Sequence, residues 1–355
     1  MERALSRAES ICREIGNPAQ LFSILGDLRI HLLGFGKHRR TRELAGQMLE
    51  IAEKQRCKEL LAEAYFHWGD TLWVGGHFRE ALTYLDRAIA HSQPGQKFAA
   101  DIDAVIMALQ RAGPTLWHLG HAEQALDACR RGSERAAAIK HPASILVAQL
   151  TFCLVRNLRR DPGAEGEAET LAALANEHGF PYYERVAQLQ RSLAILATVD
   201  LLQLVEFSRL TGLKLFLPRL VTALAEAYGR TGDPDRGLEH ISDAFAEMEA
   251  LSEGLGEAEL HRIKGDLLLM RDASKAEEAE YSFRKAIEVA RRQEARFYEL
   301  RATMSLSRLL DQQGKRAEAR TMLAEIYNWF NEGFDTADLR DAKALLDELE
   351  GRAAS

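Results

Sequence analysis

The stretch AEAYFHWGDTLWVGGHFREALTYLDRAIA, residues 62–90, decides the fold. It gathers two Trp, two His, two Asp and a Gly pair into one window, so it reads either as a catalytic centre or as a packing element. Its small and apolar residues separate the two. Gly69, Gly76, Ala81, Leu85 and Ala88 follow one another in steps of seven, five, four and three. The same steps recur at Gly113, Gly120, Ala125, Cys129 and Gly132, and again at Ala225, Gly232, Gly237, Ile241 and Ala244. A looser copy runs Ser307, Gly314, Ala319, Leu323 and Ile326, and one with two extra turn residues holds Gly265, Ala279, Phe283 and Ala286. A recurrence at this scale is the mark of a repeat architecture.

The steps fit two antiparallel helices joined by a tight turn. Gly69 and Ala81 are small where two backbones must approach. Gly76 sits where the first helix ends and a left-handed residue is least costly as glycine. Leu85 and Ala88 continue the inward stripe of the second helix. Such a hairpin cannot bury its apolar face alone and must stack on its neighbours. Trp68-Gly69, Leu72, Gly76, Phe78, Ala81, Leu85, Ala88 and Pro94 resemble the tetratricopeptide repeat (TPR), with Pro94 one place from the usual closing proline. Equivalent small positions are 44 (69 to 113), 40 (225 to 265) and 42 (265 to 307) residues apart, against about 34 in the common form, which predicts longer helices or loops.

The predicted fold is all-α: an α-α superhelix, or solenoid, of TPR-like hairpins over residues 1–355 with a C-terminal capping helix. Eight hairpins are expected at about 18–55, 59–92, 99–138, 143–178, 183–212, 215–251, 255–292 and 295–331, then a helix at about 336–350 and a tail. The last helix starts from Asp335 or Thr336 as N-cap and carries Leu339, Ala342, Leu345, Leu346 and Leu349 on one face. Residues 1–17 read as an orphan second helix of an incomplete hairpin, as expected either of a short open reading frame or of a chain cut from a longer one. Residues 183–212 are degenerate: no Gly turn divides them, and the stretch reads as two helices or as one bent helix. No Gly/Ser- or Pro-rich linker breaks the array, so one continuous solenoid is expected.

Composition supports this reading. Of 355 residues 46% are apolar and 28% charged, with only eight Pro, which describes an ordered, core-forming chain. A net charge of −7 argues against a general nucleic-acid binder. The basic run Lys37–Arg40 reads as a solvated helix start. The most apolar run, Leu193–Val205, is interrupted by Asp200 and too short for a bilayer, so no membrane association is expected. The N-terminus lacks the pattern of a signal peptide. Cys12, Cys57, Cys129 and Cys153 form no CxxC pair, which points to neither a zinc site nor a redox motif and suits a reducing cytoplasm.

Three further segments, residues 256–270, 279–310 and 316–349, resemble the C-terminal repeat arrays of large bacterial signalling proteins. In those proteins a class III nucleotide cyclase or a DNA-binding domain precedes a signal-transduction ATPase module. IYNWFNEGFDTADL, residues 326–339, is the most specific part of the likeness. It covers only the array. No GxxxxGK[ST] loop and no cyclase signature is present, so the resemblance implies a sensor or scaffold part rather than those activities.

No catalytic, cofactor-binding or metal-binding residues are assigned. His118 and His121 have a metal-like spacing but flank a turn without further ligands, and they read as polar turn residues. His67 and His77 read as surface histidines, and Cys129 and Cys153 as buried small hydrophobes. The candidate partner-binding residues are of two sets. Trp73 and Trp117 hold equivalent positions in neighbouring repeats, read either as a ladder in the concave groove or as core between hairpins, with Phe66, Asp70, Gln110 and His118 on the same face. Arg219, Glu226, Arg230, Arg262 and Asp266, together with Glu259, alternate in sign on the next groove segment, as solvated ion pairs or as a polar partner surface. The Lys/Asn/Arg set with which some repeats of this kind clamp a C-terminal carboxylate is absent there. The expected function is a non-catalytic protein-interaction scaffold or regulatory array, its partner a protein or peptide, among them a cyclase/ATPase module in cis or in trans. A metabolite sensor that binds a small molecule in the groove is the alternative. No nucleic acid and no cofactor is expected.

Overall fold

The computed structural model describes residues 2–98, 101–215, 217–251 and 254–351. Among them it has eighteen α-helices and no β-strand: α1 (Glu2–Ile15), α2 (Pro18–Gly34), α3 (His38–Gln55), α4 (Lys58–Val74), α5 (Phe78–His91), α6 (Ala104–His118), α7 (Ala122–Ile139), α8 (Pro142–Arg159), α9 (Ala164–His178), α10 (Pro181–Ile195), α11 (Thr198–Thr211), α12 (Leu217–Arg230), α13 (Pro234–Leu251), α14 (Glu257–Arg271), α15 (Ala276–Gln293), α16 (Arg296–Gln312), α17 (Arg316–Tyr327) and α18 (Ala337–Gly351). The fold is an α-α superhelix of TPR-like hairpins. The recurring small residues do the expected work: a Cβ on Gly69 would press on Leu85 and the Ala81 carbonyl, and one on Gly265 would enter the ring of Phe283. Residues 99–100, 216, 252–253 and 352–355, where some of the expected hairpins and the tail begin or end, lie outside the described residues.

Residues 183–212 form two helices, α10 and α11, and the break between them falls at Leu196, whose φ is 48°. The missing glycine is explained by a habit of this chain. Arg56, Lys140, Arg160, Leu196 and Glu294 all cap helices in the left-handed region that usually selects Gly. A search for Gly turns therefore passes over this one.

The superhelix is coiled tightly enough to meet itself. The Gly34 carbonyl, at the end of α2, accepts the N–H groups of Lys214 (2.8 Å) and Leu215 (3.2 Å), which lead into α12. The Val74 carbonyl, at the end of α4, accepts those of Gly254 and Leu255 (both 3.1 Å), just before α14. The turn after α6 lies against the start of α16, where a Cβ on Gly120 would touch Arg296 and Trp329. The turn after α8 meets α18 through Arg160, which pairs with Asp338 at 3.1 Å and Asp341 at 2.9 Å. In each case the end of one hairpin's first helix meets the beginning of the first helix five hairpins on. Carbonyls left without partners at a helix C-terminus and amides leading into a helix N-terminus satisfy one another, and the two dipoles run head to tail.

The largest apolar core follows from this closure. It joins Leu72, Trp73, Phe78 and Trp117 from the first turn of the superhelix to Phe297, Tyr298 and Leu300 from the second. The Trp117 and Phe297 rings stack at 5.0 Å and 7°. α18 completes the far end, burying Leu339, Ala342, Leu345, Leu346 and Leu349.

Lys140 is exposed, ends α7 with φ 58°, and carries a side chain in a conformation that favours glycine. Lys140→Gly is expected to raise the free energy of unfolding by roughly 0.5–1 kcal/mol, relief of left-handed strain outweighing the extra chain entropy of glycine. Denaturant unfolding checks this, and a loss of stability would contradict it.

Candidate functional site

The first set of predicted groove residues is buried. Trp73 is 2% exposed and Trp117 0%, so they are core and not a ladder open to a partner. The sequence places them on the inner side of their helices, but the second turn of the superhelix already occupies that side. His118 is also buried, which corrects its reading as a turn residue. It stacks on Phe78 at 4.1 Å, and its Nδ1–H donates to the Pro114 carbonyl at 2.7 Å. Burial pushes its pKa down to about 3, so the ring is neutral. Phe66 packs on Phe98 at 5.5 Å, and Gln110 is buried as well.

Asp70 is the centre of a buried ion-pair cluster. Arg29 on α2 donates to it at 2.6 Å, and Arg111 on α6 donates to its other oxygen, so one carboxylate on α4 ties three successive first helices together. Burial alone would raise the Asp70 pKa, but the charges of Arg111 and Arg29 outweigh it and hold the carboxyl well below the usual range. His67 completes the cluster and is buried rather than at the surface. Its Nδ1 lies 3.0 Å from an Arg29 nitrogen that can only donate, so Nδ1 is the acceptor and the ring is neutral. Burial lowers its pKa accordingly. The cluster is structural: two guanidinium groups share one carboxylate, and the neutral His67 ring accepts from Arg29.

The second set lies elsewhere, and the structure gathers most of it around one space. A cavity of about 690 Å³ opens inside the superhelix between the end of α8, the end of α10 and the inner faces of α12, α14 and α16. Arg219, Glu226 and Arg230 on α12 and Arg262 on α14 line it, while Asp266 stands beside Arg262 without lining it. Arg262 binds Glu259 and Asp266 at 2.6 Å each and approaches Glu226 at 3.8 Å. Glu259 also faces Arg301 at 3.6 Å, and Arg301 holds Asp338 at 2.8 Å and donates to the Leu158 carbonyl at 2.7 Å. With Arg160 between Asp338 and Asp341, the network crosses α12, α14, α16 and α18 and reaches the turn after α8. Burial would raise the Glu259 pKa, yet Arg262 and Arg301 hold it down, whereas burial dominates for Glu226 and Asp266 and raises both.

Tyr298, Arg301 and Arg308 on α16 also line the cavity and are not among the residues expected there. The signal was present. Arg301 and Arg308 stand six residues before and one after Ser307, as Arg219 and Glu226 stand about Ala225. Among the described residues no group of His, Cys, Asp and Glu is arranged to hold a metal ion, and no helix is long and apolar enough to cross a membrane. The thiols of Cys129 and Cys153 are each pushed up to about 12 by burial, which leaves them poor nucleophiles.

No protein-family model matches the chain, and no curated protein sequence does. Among solved structures it is similar to a Rap protein complexed with competence and sporulation factor, at 14% identity and a TM-score of 0.40 over 95% of this chain and 76% of that one. A Signal Transduction ATPase with Numerous Domains (STAND) protein with a tetratricopeptide repeat sensor, from Pyrococcus horikoshii, is similar at 13% identity and a TM-score of 0.43 over 98% and 54%. Yeast Tom70 is similar at 12% identity and a TM-score of 0.40 over 99% and 96%.

Asp70→Asn leaves Arg29 and Arg111 short of a counter-charge in the interior and is expected to cost on the order of 3 kcal/mol. Because the folded carboxyl lies below its unfolded value of about 3.9, its ionisation contributes stability that is complete above that pH and lost as pH falls towards the folded value. The gap between wild type and Asp70→Asn in thermal unfolding should therefore be widest near neutrality and narrow below pH 4. A gap independent of pH would contradict the assignment.

Proposed function

We propose that the chain is a non-catalytic interaction array that holds a protein or peptide partner in the cavity inside the superhelix. One observation carries this reading: a space of about 690 Å³, walled by five first helices, several of whose charged side chains are fixed in place by an ion-pair network. Fixed walls lower the ordering cost of binding. The chemistry favours recognition over turnover: the cavity's charged groups are matched ions or arginines, and Arg cannot serve as a general base at neutral pH. The resemblance of residues 256–349 to bacterial signalling proteins supports a partner such as a cyclase/ATPase module, in cis or in trans, and a cytoplasmic setting. The size of the cavity, within the usual range for small-molecule sites, favours a metabolite sensor as the second reading.

A photo-crosslinking residue at Ala223, on the cavity wall, tests this against the same residue at Tyr281, which is 70% exposed on α15. A defined polypeptide is expected to crosslink from position 223 only, and once purified to bind the wild-type chain one to one by calorimetry. Absence of such a polypeptide, with a metabolite that raises the melting temperature instead, would favour the sensor. Nucleotide turnover by the purified chain would refute the non-catalytic reading.

A further inference from the structure

The charges around the cavity do not cancel locally. Each carboxylate that lines it already has an arginine: Asp161 has Arg159, Glu165 has Arg191, Glu226 and Glu259 share Arg262, and Asp341 has Arg160. Arg219, Arg230 and Arg308 also line it, and among the described residues none of the three has a carboxylate within ion-pair distance. Arg219 is the most confined: it is half-buried, and burial, helped by Arg301 and opposed by Tyr298, lowers its pKa. A guanidinium in such a wall loses part of its hydration, which an anion in the cavity would replace.

Resting on the reading of the cavity as the partner site, we propose that Arg219, Arg230 and Arg308 form an anion-binding track for an acidic peptide segment. Arg219 and Arg230 are eleven residues apart on α12, three helical turns, which places them on one face and about 16 Å apart. One phosphate or carboxylate cannot reach both. An extended peptide rises about 3.3 Å per residue and turns successive side chains to opposite faces, so two acidic side chains four or six residues apart share a face and span the track, and one between them, on the other face, meets Arg308 on α16 from the facing wall. The Glu226–Arg262 pair between the two ends stays matched, so binding does not require breaking the network.

Fluorescence anisotropy of a labelled octaglutamate peptide tests this on the full chain. At a net charge of −7 the protein has no general attraction for a polyanion, so binding reports the cavity. The peptide should bind, lose affinity as salt rises, and weaken about tenfold or more in each of Arg219→Gln, Arg230→Gln and Arg308→Gln. Lys140→Gln, on an exposed turn outside the cavity, should leave it unchanged. Arg230 and Arg308 are exposed and their substitutions disturb no packing, so loss of binding there is not loss of fold. No binding of octaglutamate at low salt, or binding indifferent to all three arginines, overturns the proposal. Tripolyphosphate that binds through the same arginines at lower concentration than the peptide overturns the assignment to a peptide. If octaglutamate fails while position 223 still crosslinks a defined polypeptide, the acidic track falls and the interaction array stands.

Discussion

The structure depends on a backbone contact between segments 180 residues apart: the last carbonyls of α2 and α4 receive the amides that lead into α12 and α14. Each hydrogen bond is modest on its own. Their effect comes from repetition, because the same meeting of helix end and helix beginning recurs at α6 with α16 and at α8 with α18, with side chains in place of backbone. Hairpins that pack only on sequence neighbours would leave the end of each first helix in water. Here the next turn of the superhelix covers it, and the largest apolar core lies across that junction.

Closure also creates the cavity. Its walls come from α8 and α10 on one turn and from α12, α14 and α16 on the next, so an open solenoid would expose the same residues along a shallow groove. The ion-pair network holds these walls at a fixed spacing. Arg301 shows how directly: it binds Asp338 on α18, donates to the Leu158 carbonyl at the end of α8, and lies over the Trp117 ring at 5.0 Å. One side chain thus joins the core, the cavity and the superhelical junction.

The hairpins were legible in the sequence because each one is a local object. Steps of seven, five, four and three report where two adjacent helices touch, and Gly69 with Ala81 or Gly265 with Phe283 meets the expected neighbour. The α10–α11 turn was not legible, since Leu196 adopts there a conformation that the eye expects of glycine. Trp73, Trp117, His67 and His118 mark the deeper limit. Their positions on a helix face could be read, but what faces them is set by a contact five hairpins away, to which no periodicity refers. The alternating charges of α12 and α14 carried further, as the inner face of a solenoid remains its inner face however tightly it coils. They pointed to one wall of the cavity and omitted α16, although Arg301 and Arg308 repeat the same offsets.

Amide hydrogen exchange resolved to single residues is the most direct measure of the closure. The amides of Lys214, Leu215, Gly254 and Leu255 precede their helices, and among the described residues their acceptors are the carbonyls of Gly34 and Val74. If the superhelix closes on itself, these four amides exchange as slowly as those inside the flanking helices. Exchange at the rate of an open loop would mean that the turns do not meet, and the inter-turn core and the cavity would fall with them.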